Sequence, residues 1–300
     1  MEIFTADSQP DIPVLKTGLP ALDAIIGGGL PTGKVAEVYG LPSTGKTTLC
    51  MQMVTNFQKQ GLTVLWIDLE NAWDRGYAKD VGVDLKKLLM MKPDYGEDAF
   101  EGIEKMLREK KAQVVVIDSI PALAPRAELE AEVGKPTMGA QARLIAQAMR
   151  KLIPLLEKTG AVLIFINQLR VNLMGGQYDP YTRPGGMSLK FYERTAIQLR
   201  RKMGLKRGNE IIGYEIEAKA IKSYSTSPLK TAMFQLIFGR GFIKEFHILE
   251  VAIEKNIIFK KGNTFWYKNI KLGVGKNQTL DYIEKNEKIL KNIKDDIDVS

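Results

Sequence analysis

Four short runs of the chain are apolar almost without interruption: VAEVYG (35–40), VLWIDLE (64–70), VVVIDS (114–119) and VLIFINQ (162–168). Unbroken apolar strands bounded by turn signals belong to a parallel sheet covered on both faces. Stretches of helix length separate them. Leu49, Met53 and Phe57 recur at helical spacing, and the pattern predicts helices over 47–60, 97–111 and 138–158. After residue 190 the rhythm changes. AIQLRRK, YEIEAKAIKS and TAMFQLIFG follow one another through the turns GLKRGNE and TSPLK, which predicts an antiparallel meander on the same sheet. From about residue 240, a helix-like stretch (244–255), an aromatic hairpin TFWYKNIKLGVGK and a charged helix (about 279–294) predict a small α+β lobe. The expected fold is therefore α/β, a mostly parallel sheet extended by antiparallel strands, with a small C-terminal lobe.

Two segments lack any period: AELEAEVGKPTMG (127–139) and LRVNLMGGQYDPYTRPGG (169–186). Loops this long inside a compact domain are either functional or disordered. Both follow strands on the same edge of the sheet, where open α/β folds bind ligands.

Composition narrows the class. Three hundred residues suit one larger domain plus a lobe, and 45% hydrophobic with 26% charged residues is the balance of a soluble globular protein. No apolar run approaches the ~18 residues of a membrane span, and MEIFTADSQP has no signal-peptide core. A single cysteine excludes an internal disulfide framework and agrees with a reducing cytoplasm. Cys50 is expected to be a small buried apolar group, and the lone His247 cannot build a metal site by itself. The net charge of +8 is concentrated: residues 169–230 hold 12 Lys/Arg against 5 Asp/Glu, either a solvated basic surface or a footprint for nucleic acid.

Residues 40–47 read GLPSTGKT, the phosphate-binding P-loop pattern, between a predicted strand and a predicted helix. Backbone N–H groups from Gly40, Leu41, Ser43, Thr44 and Gly45 would surround phosphate oxygens, Pro42 being part of the same loop without an N–H, with Lys46 neutralising β/γ charge and Thr47 offering a hydroxyl to Mg²⁺. Asp118 ends a hydrophobic strand and suits a Walker-B carboxylate holding Mg²⁺. Glu70 ends a neighbouring strand and is placed to deprotonate a water, although a strand-end acid can also serve only as a cap. Gln168 closes the fourth strand and opens the long loop. It would sense the γ-phosphate, or else be a strand-edge amide satisfied by water.

With these pieces aligned, the sequence resembles the bacterial RecA recombinases. TGLPALDAIIGGGLPTGKVAEVYG, STGKTTL, DLENAWDRGYAKDVGVD, VVVIDSIPAL, MGAQARLIAQAMRKL, LIFINQLR, GGMSLKFY, IQLRRK and FQLIFGRG carry the likeness across most of the chain. The resemblance implies a short segment 1–16, a RecA-like P-loop ATPase core over 17–239 and a C-terminal lobe over 240–300. It implies ATP and Mg²⁺ as cofactors, bound through Gly45, Lys46, Thr47, Thr48 and Asp118, with Glu70 catalytic and Gln168 the sensor. Asp74, Tyr77, Phe238 and Gly239 would hold the adenine. Loops 127–139 and 169–186 would contact DNA, with Met138, Arg143, Arg170, Gly185 and Gly186 on family positions. From the loop's own chemistry, Arg170 and Arg183 would supply phosphate charge, and Met174 and Tyr178 would wedge or stack. Lys222 would reach the neighbouring subunit's nucleotide like an arginine finger.

The expected activity is a DNA-dependent ATPase and recombinase that binds single-stranded DNA, pairs it with homologous duplex in recombination and repair, and self-associates head to tail into a helical filament. Departures from the family pattern are Pro42 in place of glutamate, Tyr224 in place of a second trans lysine, and Gln177 at an aromatic position. About 16 residues precede the matched core, so the family's docking helix is expected to be absent, and only a stub of its acidic tail is expected after IKDDIDVS. Two other readings stay open: a ring motor or regulatory switch of the same superfamily, and a shortened copy that modulates a full-length recombinase.

Overall fold

The strands fall where the apolar runs lie. The computed structural model describes residues 11–132, 139–172 and 181–299. Among these, β1 (Val35–Gly40), β2 (Val64–Asp68), β3 (Leu88–Met91), β4 (Val114–Asp118), β5 (Val162–Gln168), β6 (Glu193–Arg207), β7 (Glu210–Lys222), β8 (Thr231–Ile237) and β9 (Gly241–Phe242) form one nine-stranded sheet. Its order is β9-β8-β7-β6-β1-β5-β4-β2-β3. From β6 to β3 every neighbour is parallel, and from β6 to β9 every neighbour is antiparallel. The expected mixed sheet is thus realised, with β6 as the joint.

Alternation within each strand builds two cores, one per face. Val64, Trp66, Val114, Val116 and Ile164 share a core with Leu49, Met53 and Phe57 of α1 (Lys46–Lys59). Leu65, Ile67, Val115, Ile117 and Phe165 point the other way. They pack onto α3 (Gly96–Arg108) and α4 (Ala140–Thr159), whereas the short α2 (Arg75–Asp80) joins the first core through Ala78. Each fully buried Leu or Phe contributes about 1.5–3 kcal/mol, which is why both faces must be covered for such strands to be stable.

The C-terminal lobe has its own core. Helix α5 (Gly186–Tyr192) precedes β6, and α6 (Lys244–Glu254) leaves the sheet after β9. The lobe then adds β10 (Ile258–Lys261), β11 (Thr264–Tyr267), β12 (Ile270–Val274), α7 (Gly275–Lys285) and α8 (Glu287–Val299). Leu249, Ile258, Phe265, Tyr267, Ile283 and Ile293 are buried among themselves. An Arg240–Glu284 ion pair ties the lobe to the segment after β8.

Two boundary expectations are corrected. The predicted turn GLKRGNE is mostly strand: Gly204–Arg207 continue β6, and only Gly208 and Asn209 turn. This end of the hairpin carries Lys206 and Arg207 exposed, so it has no apolar face for the pattern to report. The predicted single charged helix is two. Asn286 breaks it, with its side-chain amide donating to the Tyr282 carbonyl at 2.7 Å and its own carbonyl accepting from Leu290 N at 3.0 Å.

Candidate functional site

The loop between β1 and α1 has the geometry its sequence demands. Gly45 caps α1 at φ +81°, and a Cβ there would lie 2.8 Å from Leu236 Cδ2 and 3.1 Å from the Phe242 ring. Only glycine satisfies both the left-handed backbone and the close packing. The N-terminus of α1, with its unpaired N–H groups, therefore faces the loop's concavity. Thr44 is buried and donates to the Leu41 carbonyl at 2.9 Å; Lys46 Nζ donates to the same oxygen at 2.9 Å. Ser43, Lys46, Thr47, Glu70, Asp118 and Gln168 line one cavity of about 270 Å³.

Two carboxylates, Glu70 and Asp118, share the cavity with Lys46. Burial pushes Asp118 up to about 7, with Glu70 and Asp68 adding to the rise and the Thr47 hydroxyl and Lys46 opposing it. Burial also pulls the Lys46 ammonium down, opposed by Asp118 and Glu70. Glu70 accepts from the Ser119 hydroxyl and, at 3.2 Å, from Gln168 Nε2. The two strand-end residues read as base and sensor are thus in direct contact. Cys50, beneath them, is fully buried, and burial pushes its thiol well up, so it is an inert packing group.

Comparison with known proteins agrees with this geometry. The family description RecA N-terminal domain matches residues 1–243, and RecA C-terminal domain matches residues 247–300. Protein RecA of Delftia acidovorans is 40% identical over 287 residues, covering 95% of this chain and 78% of that protein. Protein RecA of Azoarcus sp. is 39% identical over 300 residues, covering 100% of this chain and 87% of that protein. Protein RecA of Caldanaerobacter subterraneus is 41% identical over 286 residues, covering 94% and 83%.

The chain belongs to the RecA family.

It is accordingly an ATP-binding, DNA-dependent ATPase with the recombinase function of that family. Among the described residues no helix is long and apolar enough to cross a membrane.

The remaining RecA-family positions are distributed as follows. Tyr77 of α2 meets Thr48 of α1, Oη to Oγ1 2.9 Å, and Asp74 caps α2 by accepting from Tyr77 N. Phe238 stands edge-to-face with Tyr214 and lines a separate cleft of about 520 Å³ against the lobe; Gly239 follows it at φ +74°. Gly40 ends β1 with Leu199 O where its Cβ would be, and its carbonyl accepts from Leu169 N at 3.1 Å. Pro42 and Leu41 form the shoulder of a third cleft, about 730 Å³, rimmed by Lys190, Arg200 and Arg201. Lys222 does not line the P-loop cavity; its Nζ donates to the Lys190 carbonyl at 3.0 Å.

The long loop begins and ends as a two-strand ribbon, Arg170 opposite Thr182 and Val171 opposite Tyr181. Arg170 and Arg143 are exposed. Gly185 caps α5, and Gly186, at φ +72°, lets α5 approach α4 so closely that a Cβ would lie 2.9 Å from Ala142 Cβ. Met138, Met174, Tyr178 and the side chain of His247 lie outside the described residues. Arg183 lies in the wall of the third cleft, its guanidinium paired with Glu37 and Glu193 and stacked 4.4 Å over Tyr39.

Sequence reasoning missed Ser119, Glu37, Asn167 and Glu193. Glu37 had a signal: it is an acid in the middle of an apolar strand, and such a group is buried only with a partner. Glu193 and Asn167 had none until the chain brought them to it.

Proposed function

We propose that the cavity above α1 binds the ATP triphosphate, that Glu70 is the general base and Gln168 the γ-phosphate sensor, and that loops 127–139 and 169–186 grip single-stranded DNA. The direct Gln168–Glu70 hydrogen bond at the root of the long loop carries this reading. A γ-phosphate is, like the Glu70 carboxylate, a charged acceptor that can compete for the Gln168 amide. Drawing that amide away would free Glu70 to orient and deprotonate a water, and would shift the first residue before the loop.

The donor set fits Mg²⁺. Thr47 supplies a hydroxyl and Asp118 a carboxylate, both oxygen ligands, in a cavity whose acids outnumber its one lysine. When bound, the ion would neutralise phosphate charge. Asp118 and Thr47 line the same cavity, and the Thr47 hydroxyl favours the charged Asp118 carboxylate. Tyr77 and Asp74, adjoining Thr48, support an adenine position beside the α1 start.

DNA binding is supported by position and charge. Arg170 and Arg143 are exposed at the edges of the two loops, and Lys190, Arg200 and Arg201 rim the cleft beside the ribbon. Met138, Met174 and Tyr178 would supply apolar and stacking contacts, with homologous duplex as the second DNA partner. Lys222, away from its own chain's cavity, would act on the nucleotide of the next protomer in a helical filament.

The test is ATP hydrolysis by the purified chain with and without single-stranded oligonucleotide, beside Lys46→Ala. Stimulation by DNA that Lys46→Ala abolishes, together with a steep loss of DNA affinity in added salt, is the expected result. Salt-insensitive binding, or retention of function by Lys46→Ala, refutes it.

A further inference from the structure

Beneath the long loop lies a buried ionic cluster that the nucleotide site does not use. Arg183 pairs with Glu37 of β1 and with Glu193 at the start of β6, its Nη1 and Nη2 both 3.2 Å from the Glu193 carboxylate. Glu37 is 1% exposed, Glu193 3% and Arg183 13%. The Tyr39 ring closes the guanidinium from below. Burial, and then the hydrogen bond and charge of Glu37, push Glu193 up to about 8. Breaking a buried pair from one side strands a charge, so this arrangement holds its residues firmly in one geometry.

What it holds is the closing stem of the loop. Asn167 Nδ2 donates to Glu37 at 2.7 Å and to the Pro184 carbonyl at 2.9 Å, while Asn167 Oδ1 accepts from Gln168 N at 2.9 Å. Gln168 in turn reaches Glu70. An unbroken chain of polar contacts therefore runs from Arg183 through Glu37, Asn167 and Gln168 to Glu70. The opening stem is fixed at the same place, through Leu169 N on the Gly40 carbonyl.

We propose that Arg183 is a positioning residue which, by clamping Glu37 and Glu193, sets the closing stem of the loop against Gln168 and so couples DNA engagement at the loop to ATP hydrolysis at Glu70. This rests on the reading of loop 169–186 as a DNA-binding loop. Arg183 acts through the stem and touches neither nucleotide nor DNA. Lysine cannot replace it, because a point charge does not span two carboxylates in a fork.

Arg183→Gln and the double variant Arg183→Gln with Glu37→Gln test this on the full chain, with poly(dT) as the DNA. Three quantities are read: the ratio of the ATPase rate at saturating poly(dT) to the rate without it, the slope of log affinity against log salt, and the melting temperature. Arg183→Gln is expected to melt lower. The double variant, which removes one charge of each sign, is expected to regain most of that loss. In both, the ratio should fall by about five-fold or more, the low end of ordinary site-to-site coupling. The salt slope should stay that of the parent. A ratio that returns with the melting temperature in the double variant makes the clamp merely structural and overturns the proposal. A slope smaller by ~0.7 with the ratio intact makes Arg183 a phosphate contact and also overturns it. If the parent shows no stimulation by poly(dT), the loop reading itself fails, and the clamp proposal falls with it; the parent control separates that outcome from the other two.

Discussion

Gln52 gives the clearest quantitative check on how the nucleotide loop is braced. It lies in α1, 4% exposed, and grips one residue of β9 with both ends of its amide: Nε2 donates to the Phe242 carbonyl at 2.9 Å, and Oε1 accepts from Phe242 N at 2.7 Å. Phe242 is itself 2% exposed, and its ring backs Gly45. Gln52→Leu keeps the side chain's bulk but leaves a buried N–H and a buried C=O without partners. Each orphaned group costs about 1–3 kcal/mol, and the apolar replacement recovers part of that, so the net loss is about 2–4 kcal/mol. At ~2.1 cal/mol/K of unfolding entropy per residue, a chain of 300 residues would lose about 3–6 °C of Tm. Gln52→Ala should cost more, since it adds a cavity to the same two orphans. Differential scanning calorimetry of the three proteins measures the effect. Hydrogen exchange at Phe242 N localises it. A Gln52→Leu protein that melts within about 1 °C of the parent would show that β9 finds other partners, and the bracing argument would be refuted.

Three further outcomes are expected. Glu70→Gln keeps an acceptor for Ser119 and Gln168 but removes the base, so ATP hydrolysis should fall by about 10²-fold or more while binding of a fluorescent ATP analogue persists; loss of binding instead would show Glu70 to be structural. Asp23 is buried and pushed up to about 6, mainly by desolvation. Its folded form thus binds a proton more tightly than the unfolded chain, the stability it contributes is full below about pH 4 and is lost as pH rises through 6, and the loss is about 3 kcal/mol. Urea midpoints for Asp23→Asn should therefore gain on the parent between pH 4 and pH 7; parallel profiles would contradict this. Gly186→Ala forces a left-handed alanine against Ala142, costing about 1–2 kcal/mol in backbone strain before any displacement of α5, and should weaken oligonucleotide binding at unchanged affinity for the ATP analogue.

Strand positions were legible because burial wrote them. Val114–Asp118 and Val162–Gln168 are apolar on both faces, so the runs and the observed strands coincide nearly residue for residue. The far end of the β6–β7 hairpin was not, because Lys206 and Arg207 face solvent there and no period marks them. The nucleotide residues were legible because phosphate chemistry forces types and spacing together: glycine where φ is positive, lysine and threonine at the helix start. The ion pairs of Arg183 were not legible, for the opposite reason. An arginine beside two tyrosines in a basic loop has the composition of a DNA contact. What decides its role is two glutamates, one far upstream at position 37 and one ten residues on at position 193, brought together only because β1 and β6 are neighbours in the sheet.

That adjacency also explains why one strand end can serve two sites. Successive side chains of a strand point to opposite faces. At the end of β5, Asn167 turns to Glu37 and the Pro184 carbonyl, and Gln168 turns to Glu70. One peptide separates a residue that holds the loop's closing stem from a residue that holds Glu70, and the hydrogen bond from Gln168 N to Asn167 Oδ1 stiffens that link. β5 lies between β1, which ends in the P-loop, and β4, which ends in Asp118. On the proposed reading, a displacement of Gln168 toward a phosphate would be felt at Pro184 without any long lever, and an ordering of the loop would be felt at Glu70 by the same route. Coupling of this kind needs no movement of the sheet. It requires only that the parallel strands end together on one edge, and the hydrophobic runs of the sequence guarantee that they do.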